Sequence, residues 1–371
     1  MILQRIDICN FKNIASASLE FSAGINGLLG NNGMGKSNLL DAIHFMSLCK
    51  SFTGAPEAML IRRGEQFATI RALYLRRNQE ETLTIGMAEG KRKSLRRQGK
   101  EYTRLSEHIG AFPLVMSSPD DIELIRGTAE LRRKLMDIVI AQTDAAYLDA
   151  LIRYNRALQQ RNTLLRDQCS DVNLFSAIEI AMDMAASRIV ASRLQWVDRL
   201  TEITNSYHKA IAGSDAEPVE LRYASPLAEY GTSLAMLLDH NRMHDRLLRH
   251  TSAGPHRDDL ELLQGGLPMR RAASQGQCKT FAIALRLAQY EFLRQANTGI
   301  KPLLLLDDIF DKLDATRVER IMALVGDTSR FGQIFITDTN RAHLDEIMSR
   351  TAKAENYALW NVADGQFEKL H

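Results

Sequence analysis

The stretch GLLGNNGMGKSNLLDAIHFM, residues 27–46, sets an apolar run, a glycine-rich loop and a lysine-serine pair before a segment with helical spacing. Gly30-Asn31-Asn32-Gly33-Met34-Gly35-Lys36-Ser37 matches G-x-x-x-x-G-K-[ST] at every fixed position. Glycines let the backbone fold tightly enough for successive N–H groups to converge on an anion. The helix beginning near Lys36 aims its partial positive end at the same place. Lys36 is then placed to reach the β and γ phosphates of ATP, and the Ser37 hydroxyl to ligate Mg²⁺. With Asn38, residues 30–38 are the expected ATP-binding segment. A flexible glycine turn would need none of these fixed positions.

Such a loop needs a carboxylate for its metal, and PLLLLDD, residues 302–308, supplies one. Four leucines form a buried strand that ends in Asp307 and Asp308, so the carboxylates fall at the carboxyl edge of a parallel sheet. Asp307 is expected to hold Mg²⁺ through water, and Asp308 to stand where a general base orients the attacking water. Lys36, Asp307 and Asp308 make the expected catalytic set; Ser37 and Asp307 make the metal set. The rival for an isolated Asp is a turn acid after a core strand. Between the two motifs, Ser274-Gln-Gly276-Gln277 precedes a long helix with apolar Phe281, Leu285 and Leu287. Two readings are open there: a plain helix cap by Ser274, or small residues that let backbone approach an anion.

The whole chain sets bounds. At 371 residues, 45% hydrophobic and 25% charged, it has material for one large core or two smaller ones. A formal net charge of +2 excludes a globally basic nucleic-acid binder, so such contacts must be local patches. Cys9, Cys49, Cys169 and Cys278 are scattered, which argues against a zinc site or a disulfide framework and for a cytoplasmic setting. No run approaches a membrane span, and the opening MILQRIDICNFKN is too charged for a signal peptide.

Short alternating runs fill the first part: ILQRIDIC, SASLEF, GINGLL, QFATIRALYLRR and ETLTIGMAEG. After Pro119 the spacing becomes helical. One stretch covers residues 129–168, with Leu131, Leu135, Ile138 and Val139 on one face, a second Val172 to Ala212, and a third Pro226 to His250. Beyond Thr251 the pattern is mixed again, with GQIFITD as a further strand. The expectation is an α/β lobe from residues 1–118 plus 251–371, and an all-helical lobe of residues 119–250 inserted in it.

In this order the motifs resemble those of ABC-type ATPases. Ala-Ser-Gln-Gly-Gln, residues 273–277, is similar to the signature usually written Leu-Ser-Gly-Gly-Gln. The resemblance implies that Ser274, Gly276 and Gln277 complete the γ-phosphate site of a second copy, in trans. Asp311-Lys-Leu313-Asp314 takes the place of the D-loop, and Thr337-Asp338 stands where many such ATPases carry a switch histidine. The fold implied is an ABC-type P-loop head, with mixed sheets around the P-loop helix, plus the inserted helical lobe.

Within that class, SSPDDIELIRGTAELRRKLMD from Ser117 to Asp137 closely resembles a signature of the RecF family. GPHRDDL from Gly254 and NFKNIASASLEF near the start are similar to further RecF segments. Ala129, Leu135 and Asp311-Lys-Leu-Asp depart from the residues usual there. The resemblance implies ATP-dependent homodimerisation on DNA, slow hydrolysis, and action with RecO and RecR to load RecA at gaps. It also implies that Lys12 and Asn13, in the opening loop, border the nucleotide. The alternative is another ABC-class ATPase, an SMC-like head or a transporter subunit, without a gap-repair role. A P-loop kinase, and a DNA-binding scaffold that ATP only stabilises, are further rivals.

The DNA surface has two candidate positions. GKRKSLRRQGKEYTR carries seven Lys or Arg between Lys91 and Arg104 against one acid, in an expected hairpin. Lys91, Arg92, Lys93, Arg96 and Arg97 either neutralise phosphates or, as a charged strand edge, block pairing. Arg126, Arg132 and Arg133 either touch DNA or brace the junction of the lobes. No base-reading motif is present, so single- or double-stranded DNA would be bound without sequence preference, by shape. His240, His244 and His250 suit an exposed helix face better than a metal.

Overall fold

The computed structural model describes residues 1–213, 216–297, 299–310, 313–341, 344 and 357–371. The chain opens with strands β1 (Ile2–Phe11), β2 (Ile14–Glu20) and β3 (Ile25–Leu29), then helix α1 (Lys36–Leu48). Strands β4 (Phe67–Arg76), β5 (Gln79–Ala88), β6 (Ser94–Arg97), β7 (Lys100–Glu101) and β8 (Leu114–Ser117) follow. A mainly helical segment comes next: α2 (Glu123–Arg126), α3 (Ala129–Ala141), α4 (Ala145–Arg166) and α5 (Val172–Ala212). It continues through β9 (Val219–Ala224), α6 (Pro226–Glu229), α7 (Leu234–His240), α8 (Arg242–Leu248), β10 (Asp259–Gln264) and β11 (Leu267–Pro268). Helices α9 (Met269–Ala272) and α10 (Gln275–Ala296) lead to β12 (Leu303–Leu306), α11 (Ala315–Val325), β13 (Ile334–Asp338), β14 (Tyr357–Ala363) and β15 (Gln366–Lys369). Two compact units result: Met1–Asp121, Ala210–Gly213 and Lys279–His371 in the first, Ile122–Lys209 and Ser214–Cys278 in the second.

The first unit holds two six-stranded sheets. One is antiparallel, ordered β2-β1-β4-β5-β6-β7. The other is ordered β15-β14-β3-β13-β12-β8, and all its neighbours run parallel except β15. Parallel strands covered on both faces read as unbroken apolar runs, and β12, Leu-Leu-Leu-Leu, is buried at every position. Helix α1 is buried on nearly every side, Leu39, Leu40, Ile43 and Phe45 among the rest, and joins the core formed with both sheets. Register then sets the site. Leu306 lies beside Ser117, and Thr337 beside Leu28, so the carboxyl ends of β3, β8, β12 and β13 share one edge.

The second unit corrects part of the expected lobe. It is not all-helical: β9, β10 and β11 form a three-stranded antiparallel sheet, with Val219, Leu221 and Tyr223 of β9 buried in alternation. The helical pattern of residues 226–250 is not one helix but three short ones, divided at Gly231 (φ 60°) and at Asn241, the last ended by the left-handed Arg249 (φ 57°). The buried stripe of α3 is rotated from the expected one. Leu131 and Ile138 are exposed, and Leu135, Met136, Val139 and Ile140 face inward with Arg132. Helix α5 has the ends expected from the sequence, Val172 and Ala212. Compactness also puts the boundaries after Asp121 and Cys278 rather than after residues 118 and 250. The reason is that β10, β11 and α9 pack with β9 and α3.

Candidate functional site

The site grows out of the turn between β3 and α1. Gly35 is the N-cap of α1 with φ 115°, and Gly33 has φ 82°, both in the left-handed region that side chains disfavour. Gly30 answers a different need: a Cβ there would lie 2.3 Å from the Val362 carbonyl oxygen of β14. Lys36 turns its ammonium into the loop, 2.6 Å from the Gly30 oxygen and 3.2 Å from that of Asn31. Its side chain is held on the mouth of the loop with little freedom, since the residue is only 3% exposed.

Across the edge, the Ser37 hydroxyl donates to Asp307 Oδ1 at 3.0 Å. The same oxygen accepts from the Thr337 hydroxyl at 2.8 Å. Asp308 has φ 43°, and its N–H donates to Thr337 Oγ1 at 2.9 Å, with its own Oδ1 3.4 Å from that hydroxyl. Burial pushes the Asp307 carboxyl above its usual range, and the neighbouring Asp308 adds to this; the Thr337 and Ser37 hydroxyls pull it back. A hydroxyl and a carboxylate this close suit Mg²⁺, a hard ion that takes oxygen ligands and commonly only one or two from protein. Such an ion would supply charge neutralisation to a triphosphate on the loop.

Supports come from distant parts of the chain. Asn13 accepts from the Asn38 amide at 2.8 Å and donates to the Met34 carbonyl at 3.3 Å. Gly365, in the β14–β15 turn, also donates to Met34, at 2.8 Å. Lys12 pairs with the fully buried Asp41 of α1 at 2.6 Å. The Asp307 N–H donates to the Ser117 carbonyl at 2.9 Å. Below it, Asp121 accepts from the Ser117 hydroxyl at 3.0 Å and pairs with both sides of the Arg286 guanidinium. Neither Arg286 nor Gly365 carries a motif. Their only trace in sequence is a basic residue on the helix after the signature and a glycine in a terminal turn.

Other predicted residues sit elsewhere. Ser274, Gly276 and Gln277 fall in the second unit. The Ser274 N–H donates to Gln277 Oε1 at 2.8 Å and the Gln277 N–H to Ser274 Oγ at 3.3 Å, a reciprocal cap at the start of α10. Asp314 caps α11 by accepting from the Arg317 N–H at 2.9 Å, and Leu313 bonds back to Phe310 at 3.2 Å. Asp311 and Lys312 lie outside the described residues. Lys91 and Arg92, in the β5–β6 turn, and Arg96 of β6 are exposed. Lys93 instead donates to the Cys49 carbonyl and pairs with Glu57, and Arg97 pairs with Glu81 at 2.7 Å with its guanidinium over Phe112. Arg132 makes a two-pronged bond to Asp259, and Arg133 donates to the Asp258 carbonyl, so both brace β10. His240 and His244 are exposed. Among the described residues no helix is long and apolar enough to cross a membrane.

A P-loop at the edge of a mixed sheet, with an antiparallel sheet in the same core and an acidic pair after a parallel strand two places along, defines an ABC-type ATPase head. A family model described as RecF/RecN/SMC N terminal domain matches residues 2–357. A DNA replication and repair protein RecF of Parabacteroides distasonis is 47% identical over 370 residues, covering 100% of both chains. That of Porphyromonas gingivalis W83 is 48% identical over 367 residues, covering 99% of each. A solved structure of the recombination mediator protein RecF with ATP, from the RecFOR pathway, superposes with a TM-score of 0.89 at 29% identity, covering 100% of this chain and 98% of that one. An Smc head domain of Pyrococcus furiosus shares the fold at a TM-score of 0.57, 18% identity, and coverage of 100% and 96%. The chain belongs to the RecF family.

Proposed function

We propose that this chain is an ATP-dependent DNA-binding protein of recombinational gap repair and replication maintenance. It dimerises on ATP through a shared nucleotide site, hydrolyses ATP slowly to release, and assists loading of RecA with RecR and RecO in the cytoplasm. The observation that carries the reading is the cluster at one sheet edge: Lys36 at the loop, Ser37 and Thr337 on Asp307, and Asp308 beside them. Full-length likeness to RecF proteins gives that cluster its biological setting.

In this reading Lys36 leaves the Gly30 and Asn31 carbonyls to hold the phosphates, and the α1 amino end faces the same charge. Ser37 and Asp307 would hold Mg²⁺, which would neutralise phosphate charge there. Asp308 orients the attacking water and takes its proton as the γ phosphoryl group passes to it, leaving ADP. Ser274, Gly276 and Gln277 of a second copy close the site over the γ-phosphate, so nucleotide charge joins two surfaces until hydrolysis removes it. DNA is met by phosphate contacts without base reading, with Lys91, Arg92 and Arg96 among the exposed charges of residues 91–104.

Sedimentation with and without ATP, at several protein concentrations and with gapped duplex present, tests this. Lys36→Met is expected to abolish nucleotide binding. Ser274→Arg is expected to bind ATP as the parent does yet remain monomeric. A Ser274→Arg protein that still dimerises with ATP would overturn the shared site.

A further inference from the structure

Thr337 occupies the end of β13, fully buried, where its hydroxyl meets both acids of the site. A threonine hydroxyl has one proton and two lone pairs. Here it accepts from the Asp308 N–H at 2.9 Å, and the one proton has two carboxylate oxygens within reach, Asp307 Oδ1 at 2.8 Å and Asp308 Oδ1 at 3.4 Å. The first is taken, the second is the poorer alternative. Asp308 needs the accepted bond, because a non-glycine residue at φ 43° is in a costly conformation that persists only when its surroundings hold it.

We infer that Thr337 is a positioning residue that sets both carboxylates, fixing the Asp308 backbone and dividing one proton between Asp307 and Asp308. The inference deepens the ATPase reading and rests on it. While Ser37 donates to Asp307, that oxygen has two donors. A Ser37 hydroxyl that gave a lone pair to a metal would keep its proton, so Ser37 and Thr337 would go on holding Asp307 together. The Thr337 proton serves one acid at a time, and whenever it turns to Asp308 Oδ1 it leaves Asp307 to Ser37. A histidine at this position would act on the phosphate; threonine acts on the acids.

The test compares Thr337→Val, of nearly the same shape, with Thr337→Ser, which keeps donor and acceptor. Three quantities are measured on the full chain: ATP affinity in EDTA, the Mg²⁺ concentration that half-saturates the ATP complex, and the single-turnover rate of ATP cleavage. Loss of one hydrogen bond to a charged group corresponds to about 10- to 100-fold. Thr337→Val is therefore expected to keep metal-free ATP affinity within about threefold, to need about tenfold more Mg²⁺, and to cleave at least about tenfold more slowly. Thr337→Ser is expected within about threefold of the parent on all three. A Thr337→Val protein with parental Mg²⁺ demand and rate would overturn the inference, as would one that loses metal-free ATP binding, the mark of a merely structural role. A parent chain that binds no ATP sinks the ATPase reading itself, and is distinguishable because it fails before any variant is compared.

Discussion

Gly30 is a fixed position of the phosphate loop and Gly33 is not, and they are glycine for different reasons. At Gly30 a Cβ would stand 2.3 Å from the Val362 oxygen, a clash with backbone that no rotamer relieves. At Gly33 nothing lies within 4 Å, and the cost of a side chain is the φ of +82° alone. Gly33→Ala is thus expected to destabilise the nucleotide-free protein by about 1 kcal/mol. Gly30→Ala should cost about 3 kcal/mol and push the loop away from β14, weakening ATP binding further. Thermal denaturation and nucleotide titration of the two variants check the order. Equal losses would mean that β14 does not confine the loop.

At the scale of elements, the second unit ties its helices together through a buried charge as well as an apolar core. Arg161 of α4, fully buried, donates to Glu179 of α5 at 2.9 Å, to Asp245 of α8 at 2.6 Å and to the Thr251 hydroxyl at 2.9 Å. Removing one partner of such a set leaves an uncompensated charge in the interior. Arg161→Leu is accordingly expected to destabilise the protein by about 3–5 kcal/mol, seen as a lower urea midpoint. Adding Asp245→Asn should recover part of the loss, because the stranded carboxylate is then gone. The same arrangement shows why residues 226–250 were hard to read. Their apolar spacing is helical, but Asp245 answers to Arg161 on α4, a partner that no local pattern reveals. Helix α5 was legible from end to end, since its signals are its own. The pairing of β9 with β10 was not. It joins Ala224 to Asp259 across three short helices, and each strand alone is only six residues.

For the whole molecule, buried histidines link fold to pH. The His108 ring donates from Nε2–H to the Met46 carbonyl of α1, 2.8 Å away, and stacks on Phe112. Burial lowers its pKa to about 4 from an ordinary value of 6.5. The folded protein therefore keeps His108 neutral while the unfolded chain takes a proton below pH 6.5. Stability is full above that value and falls as the pH drops towards 4. By pH 5 the loss from this one ring is on the order of 2 kcal/mol. His256, also lowered to about 4 by burial, adds a second loss in the same window. Chemical denaturation at pH 7.5 and pH 5 is expected to show the difference, and His108→Gln to shrink it; an unchanged slope in that variant would refute the assignment. Much of the nucleotide site was readable because P-loop and acidic strand are local words. Its frame was not, as Ser37 and Asp307 are 270 positions apart, and Asn13, Arg286 and Gly365 act only through the fold.

Strand β3 leads straight into the phosphate loop, and its two hydrogen-bonded neighbours, β13 and β14, begin only at Ile334 and Tyr357. A ribosome making this chain releases the loop early and its walls last. The growing polypeptide thus carries a recognisable ATP motif through most of its synthesis, with α1 able to pack on the early antiparallel sheet but with neither strand that flanks β3. Full support for the loop comes only once β13 and β14 have been made.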